Sequence, residues 1–201
     1  LKVAYLHAQN PDWKIAVTFY TRALKDQFKR LINNFTIEQT GAEPDWDMID
    51  IVNSWGGPGS KENDGIYHKY CAANSIDYLD FNSAKLKYNN DSMFGDVCKE
   101  AVQATIKGSA EIYDVILVDE AQDFPSDFLR LCYLFLKPPK RLVYAYDELQ
   151  QLNEETMPTP KEIFGEEIQN DTPLTVCYRN QSPVIVTAHA IGMGMYREGY
   201  D

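Results

Sequence analysis

Between positions 14 and 35 the apolar residues change rhythm once. Lys14-Ile15-Ala16-Val17-Thr18-Phe19 is a short β-rich run, the pattern of a strand buried on both faces. After Thr21, a residue able to cap a helix, Leu24, Phe28, Leu31, Ile32 and Phe35 fall at offsets 0, 4, 7, 8 and 11 and so share one helical face. The alternation returns downstream. Val115-Ile116-Leu117-Val118 is a continuous apolar run of the kind a central parallel strand shows. Phe128, Leu129, Cys132, Phe135 and Leu136 then mark a helix from Ser126 that Pro138-Pro139 should end. Arg141 to Tyr146 reads as strand again, and Ser182-Pro183 opens a last helix through Val184, Ile185, Ala188 and Ile191. Residues 1–9 read as the tail of a helix closed by Asn10-Pro11, and residues 47–52 as one more strand. Strands alternating with helices predict an α/β fold on a parallel, doubly wound sheet with helices on both faces.

Two stretches interrupt the series. Residues 53–65 are rich in Gly, Asn, Ser and Pro and predict a loop; residues 66–110 mix aromatic, Asn and Lys residues with faint helical periodicity. The chain therefore divides into residues 1–55, a small mostly helical insertion over 56–110, and residues 111–201. A length of 201 residues suits one α/β domain with a modest insertion rather than two domains.

Composition adds exclusions. With 44% hydrophobic, 24% charged and 12% aromatic residues the chain is neither disordered nor fibrous. No apolar run approaches the roughly 20 residues a membrane span needs, and no signal pattern opens the chain, so a soluble, cytoplasmic protein is expected. Cys71, Cys98, Cys132 and Cys177 are scattered and without metal-ligand spacing, as buried thiols in a reducing compartment would be, and the three histidines are equally dispersed. The net charge of -11 argues against a surface that binds nucleic acid everywhere. One local stretch differs: Lys14, Arg22, Lys25, Lys29 and Arg30 face a single acid, Asp26, which suits either a phosphate backbone or a solvated helix face.

The chemistry gathers behind the run 115–118. Ligands of open α/β sheets bind at the carboxyl ends of strands, where Asp119 and Glu120 fall. One of two adjacent acids can hold Mg2+, largely through water, while the next orients and deprotonates an attacking water, as nucleotide hydrolysis requires. Alternatively the acids cap the helix that starts near Ser126.

The whole string Asp119-Glu120-Ala121-Gln122-Asp123 resembles the Walker B box, motif II, of superfamily 1 helicases related to UvrD, Rep and PcrA. Three further stretches follow that family's order. Lys14 to Ala23 is similar to motif Ia, Tyr146-Asp147-Glu148-Leu149-Gln150-Gln151-Leu152 to motif III, and Cys177-Tyr178-Arg179-Asn180 to motif IV. The resemblance implies a RecA-like domain of a P-loop ATPase that binds ATP and Mg2+ and moves on single-stranded DNA, or on RNA. It would make Asp119 the magnesium-binding acid and Glu120 the catalytic base, with Gln122 and Asp123 coupling nucleotide state to domain movement. Gln150 would sense the γ-phosphate or bridge to DNA, Arg179 would contact the γ-phosphate, and Tyr178 would stack on the adenine, although core packing would also explain Tyr178. Thr18, Phe19, Thr21 and Arg22 would meet the nucleic acid, though Phe19 also reads as core. Trp55, in the place of motif Ib, would add a stacking surface.

The family's phosphate loop, Gly-x-x-x-x-Gly-Lys-Ser/Thr, is missing. Gly56-Gly57-Pro58-Gly59-Ser60-Lys61 is a decoy, because Lys61 follows Ser60, Glu62 replaces the hydroxyl and Pro58 removes an amide donor. Residues 1–9 resemble the end of the helix after that loop. The loop is thus expected upstream of Leu1 and a second RecA-like domain downstream of Asp201, leaving this RecA-like piece incomplete and inactive alone. Two rival readings are a catalytically dead RecA-like binding or regulatory module and a different P-loop ATPase.

Overall fold

A computed structural model describes residues 1–59, 63–105, 108–146, 159–165, 172 and 182–192, with backbone alone at Arg22, Glu162, His189 and Gly192. The chain divides into two compact units, residues 1–165 and 166–201.

The first unit opens with helix α1 (Lys2–Gln9) and strand β1 (Ile15–Phe19), as the apolar rhythm predicts. A short 3-10 turn (Arg22–Leu24) leads into α2 (Lys25–Thr40), whose end is a left-handed Gly41 at φ 75°. Thr21 therefore precedes the 3-10 turn and does not cap the helix; the residue at the cap is Leu24, with no side-chain bond. β2 (Ile49–Asn53) follows, then α3 (Ile66–Asn74), α4 (Phe81–Tyr88) and α5 (Met93–Ala104), β3 (Tyr113–Val118), α6 (Ser126–Leu134), β4 (Leu136–Tyr144) and α7 (Pro160–Phe164). The second unit holds α8 (Ser182–Gly192), the helix predicted from Ser182.

The four strands form one all-parallel sheet in the order β2-β1-β3-β4, an α/β architecture consistent with a RecA-like fold. Its inner strands alternate between two cores. Ile15, Val17, Phe19, Ile49, Ile51 and Val115 pack with Val3 of α1 and Ile32 of α2. Ala16, Val52, Ile116 and Val118 meet α3, α5 and α6 through Tyr67, Tyr70, Val97, Cys98, Phe128 and Cys132. Both faces are thus covered, which is why β1, apart from Thr18, and residues 115–118 of β3 are apolar. The helices of residues 66–104, expected as an insertion, contribute much of the second layer.

Two local devices shape the rim. Pro138-Pro139 does not end α6, which stops at Leu134; the pair lies inside β4. There Tyr113 pairs with Leu136 and Val115 with Arg141, so residues 137–140 arch out, pinned by Lys137 to Asp114 (2.9 Å) and Lys140 to Glu111 (2.7 Å). At the far edge, Gly56 and Gly65 cross back to back: a Cβ built on Gly65 would stand 2.3 Å from the Gly56 nitrogen. That contact lets the loop return so that the N–H groups of Tyr67 and His68 donate to Ser54 O and Trp55 O, fixing α3 on β2. Near the opposite end of β2, Asp50 accepts from the Tyr113 hydroxyl (2.7 Å) and meets Lys14 (3.1 Å) and Lys69 (3.3 Å). Burial pushes the Asp50 carboxyl up, but the hydroxyl and the two ammonium groups outweigh it and hold it below the usual range.

Two outcomes follow for stability. Gly65→Ala should cost about 3 kcal/mol or more, since backbone and not a flexible side chain blocks the methyl group. Asp50→Asn should cost about 2 kcal/mol near neutral pH by leaving two part-buried ammonium groups without their shared acid. A carboxyl depressed by folding stabilises above its unfolded pKa, and that contribution fades as pH falls through the folded value. Urea titrations of wild type and Asp50→Asn should therefore converge below about pH 4; an undiminished gap there would contradict the assignment.

Candidate active site

β3 lies between β1 and β4, and its carboxyl end is clamped from both sides. The Asp119 N–H donates to Thr18 O at the end of β1 (3.0 Å), while on the other side Ala145 N–H donates to Val118 O (3.2 Å) and Ala121 N–H to Ala145 O (2.8 Å). Between these anchors the chain must reverse within one residue. Glu120 does so in the left-handed region, at φ 52° and ψ 55°, a conformation that costs a non-glycine residue about 1–2 kcal/mol. A 3-10 turn (Ala121–Asp123) follows, closed by Asp123 N–H to Glu120 O (3.0 Å) and Phe124 N–H to Ala121 O (3.1 Å). Ala121 is fully buried beneath the turn. The acids do not cap α6, whose cap position is Pro125.

The electrostatics follow from this geometry. Burial raises the pKa of half-buried Asp119, the charge of Glu120 raises it further, and the Glu120 N–H offsets part of the effect. Glu120 and Asp123 are exposed, and Glu120 accepts a 2.6 Å bond from the Gln122 amide. Among the described residues no ammonium or guanidinium forms an ion pair with Asp119, Glu120 or Asp123. Nor does any group of three or more His, Cys, Asp and Glu among those residues suit a metal cage. One partly buried, uncompensated carboxylate is instead what a Mg2+ ion that keeps most of its water would use.

The other predicted residues are placed unevenly. Thr18 and Phe19 are closed to solvent, at 0% and 1% exposure, and Phe19 stacks on Phe28 at 5.2 Å. Neither can touch a nucleic acid in this conformation, so their expected contacts are withdrawn: the unbroken burial of β1 decides in favour of core. Trp55 is likewise occupied, its indole N–H donating to Leu79 O (3.1 Å) and its ring stacked on Phe94 at 5.0 Å. Thr21 is exposed, and the Arg22 backbone lies in the 3-10 turn. Gln150, Tyr178 and Arg179 lie outside the described residues, as do Ser60 and Lys61 of the glycine-rich decoy and Cys177. Cys71, Cys98 and Cys132 are free, buried thiols. Two neighbours of the turn went unread in the sequence, Ala145 and Tyr20. Tyr20 had a signal: it is the first residue beyond the apolar run.

No family model matches the chain, and no curated protein or solved structure matches it either. The site therefore stands on its geometry, which makes one prediction of its own. A carboxyl whose pKa is raised by folding destabilises the fold once it ionises, and the penalty disappears as pH falls through the folded value. Asp119→Asn should thus have the higher Tm at pH 7. The advantage should shrink towards pH 4. A lower Tm for Asp119→Asn at pH 7 would contradict the reading.

Proposed function

We propose that the chain supplies the acidic half of an ATP site in a cytoplasmic motor of the UvrD/Rep type, one that couples hydrolysis to movement on single-stranded DNA or RNA. The observation that carries this reading is the Asp119–Glu120 turn. Two carboxylates stand at the carboxyl end of an inner parallel strand, free of ion pairs among the described residues, in a backbone conformation that costs stability. Strain and perturbed acids collect where function needs them.

The residues divide the work by environment. Half-buried Asp119 suits contact with Mg2+ through water, and exposed Glu120 suits orienting and deprotonating the attacking water. Gln122 steadies the Glu120 carboxylate by its amide bond, and Asp123 closes the turn on the Glu120 carbonyl. Magnesium, when bound, would offset phosphate charge. Gln150, Tyr178 and Arg179 keep the roles the resemblance gives them; a guanidinium fork at Arg179 matches a γ-phosphate as lysine would not. None of the 201 residues supplies the Gly-x-x-x-x-Gly-Lys-Ser/Thr pattern, so the phosphate cradle would come from another segment and an arginine finger from a second RecA-like domain. The same missing pattern favours a second reading, a catalytically inactive RecA-like module.

Hydrolysis assays separate the two. The 201-residue chain alone should show no turnover above background. In the protein that carries the phosphate loop, strand-stimulated hydrolysis should fall about 10²–10⁴-fold in Glu120→Gln with KM little changed. Indifference to Glu120→Gln would remove the catalytic role. A complete protein without any hydrolysis would establish the inactive module instead.

A further inference from the structure

We infer that Tyr20 is the residue on which a base of the bound single strand stacks, an assignment that rests on the nucleic-acid reading above. The residues first expected to stack are unable to: the Phe19 ring is 1% exposed and Trp55 is walled in by Phe94, Tyr67 and Phe81. Tyr20 follows β1 directly, is 60% exposed, and stands at the same rim as Asp119, whose N–H is bonded to Thr18 O. Among the described residues its one ring contact is edge-on, to Phe124 at 5.8 Å and 62°. That contact holds the phenol ring while leaving it open to solvent, as a stacking platform must be.

Charge orients the strand. Asp119, Glu120 and Asp123 would repel phosphates at the rim, whereas the basic residues Arg22, Lys25, Lys29 and Arg30 follow Tyr20 in the chain. A base over Tyr20 with its backbone running towards the start of α2 satisfies both. Phe124 also ties Tyr20 to the acidic turn, since its N–H closes that turn on Ala121 O. The strand would therefore press on the segment that carries Glu120.

The test is binding of fluorescently labelled (dT)20 to the 201-residue chain over a range of salt, read by anisotropy. Tyr20→Ala should weaken binding at least about five-fold, the loss of one stacked base. Tyr20→Phe should bind within about two-fold of wild type. Stacking releases no counterion, so the salt slope should be the same in all three, whereas Arg22→Ala should make it shallower. An exposed side chain is not needed for folding, and an unchanged melting curve for Tyr20→Ala would verify that. Wild type that fails to bind (dT)20 at low salt would overturn the nucleic-acid reading and this inference with it. Equal binding by Tyr20→Ala would overturn the inference alone, as would an equal loss in Tyr20→Phe, which would assign the contact to the hydroxyl.

Discussion

The pairing of β3 with β1 decides where the acids stand. Thr18 lies opposite Val118, and the next amide, Asp119 N–H, makes the last bond to β1 before the chain turns away. Strand side chains alternate, so a slip of one residue would exchange the two cores: Val115 would leave the α1–α2 layer and Ile116 the α3–α5–α6 layer. Asp119 would then move from the rim into apolar packing, where an ionised carboxylate is costly. Correct burial of Val115 to Val118 and correct placing of Asp119 and Glu120 are one constraint. Ala145 completes it from the β4 side by bonding both before and after Glu120, which leaves that residue no regular conformation.

Several acids elsewhere in the fold are held in ion pairs. Asp50 has Lys14 and Lys69, Asp114 has Lys137, Glu111 has Lys140 and Glu100 has Lys87. Asp114–Lys137 joins β3 to β4, Glu100–Lys87 joins α5 to α4, and Asp50–Lys69 joins β2 to α3. Asp119, Glu120 and Asp123 have no such partner among the described residues, and the charge of Glu120 adds to burial in raising the Asp119 pKa. The basic run around α2 is the counterpart, and it adjoins Tyr20.

Much of this was legible in the sequence, for reasons that also mark the limits. Apolar runs at 15–19, interrupted by Thr18 alone, and at 115–118 suit inner strands, and two acids at the end of one of them then fall at the rim. What misled was local chemistry that tertiary structure overrode. Thr21 has the side chain of a cap, yet a 3-10 turn intervenes; Pro138-Pro139 suits a helix end, yet β4 carries the pair in an arch. The resemblance gives Phe19 and Trp55 contacts with nucleic acid, whereas Phe28 of α2 packs on Phe19 and Phe94 of α5 on Trp55, contacts that the motifs do not encode. The conformation of Glu120 was invisible, because glutamate has no preference for the left-handed region. It is set by three hydrogen bonds, one to Thr18 of β1 and two with Ala145 just beyond β4.

The central claim is that the acidic turn is held against the preference of its own backbone. Chemical denaturation of Glu120→Gly at neutral pH tests it most directly. Glycine adopts positive φ freely, and its relief should exceed its entropic cost, making Glu120→Gly more stable than wild type by about 0.5–1 kcal/mol. A protein less stable than wild type would mean that the glutamate stabilises the turn, and the account of Glu120 as a strained catalytic residue would fail.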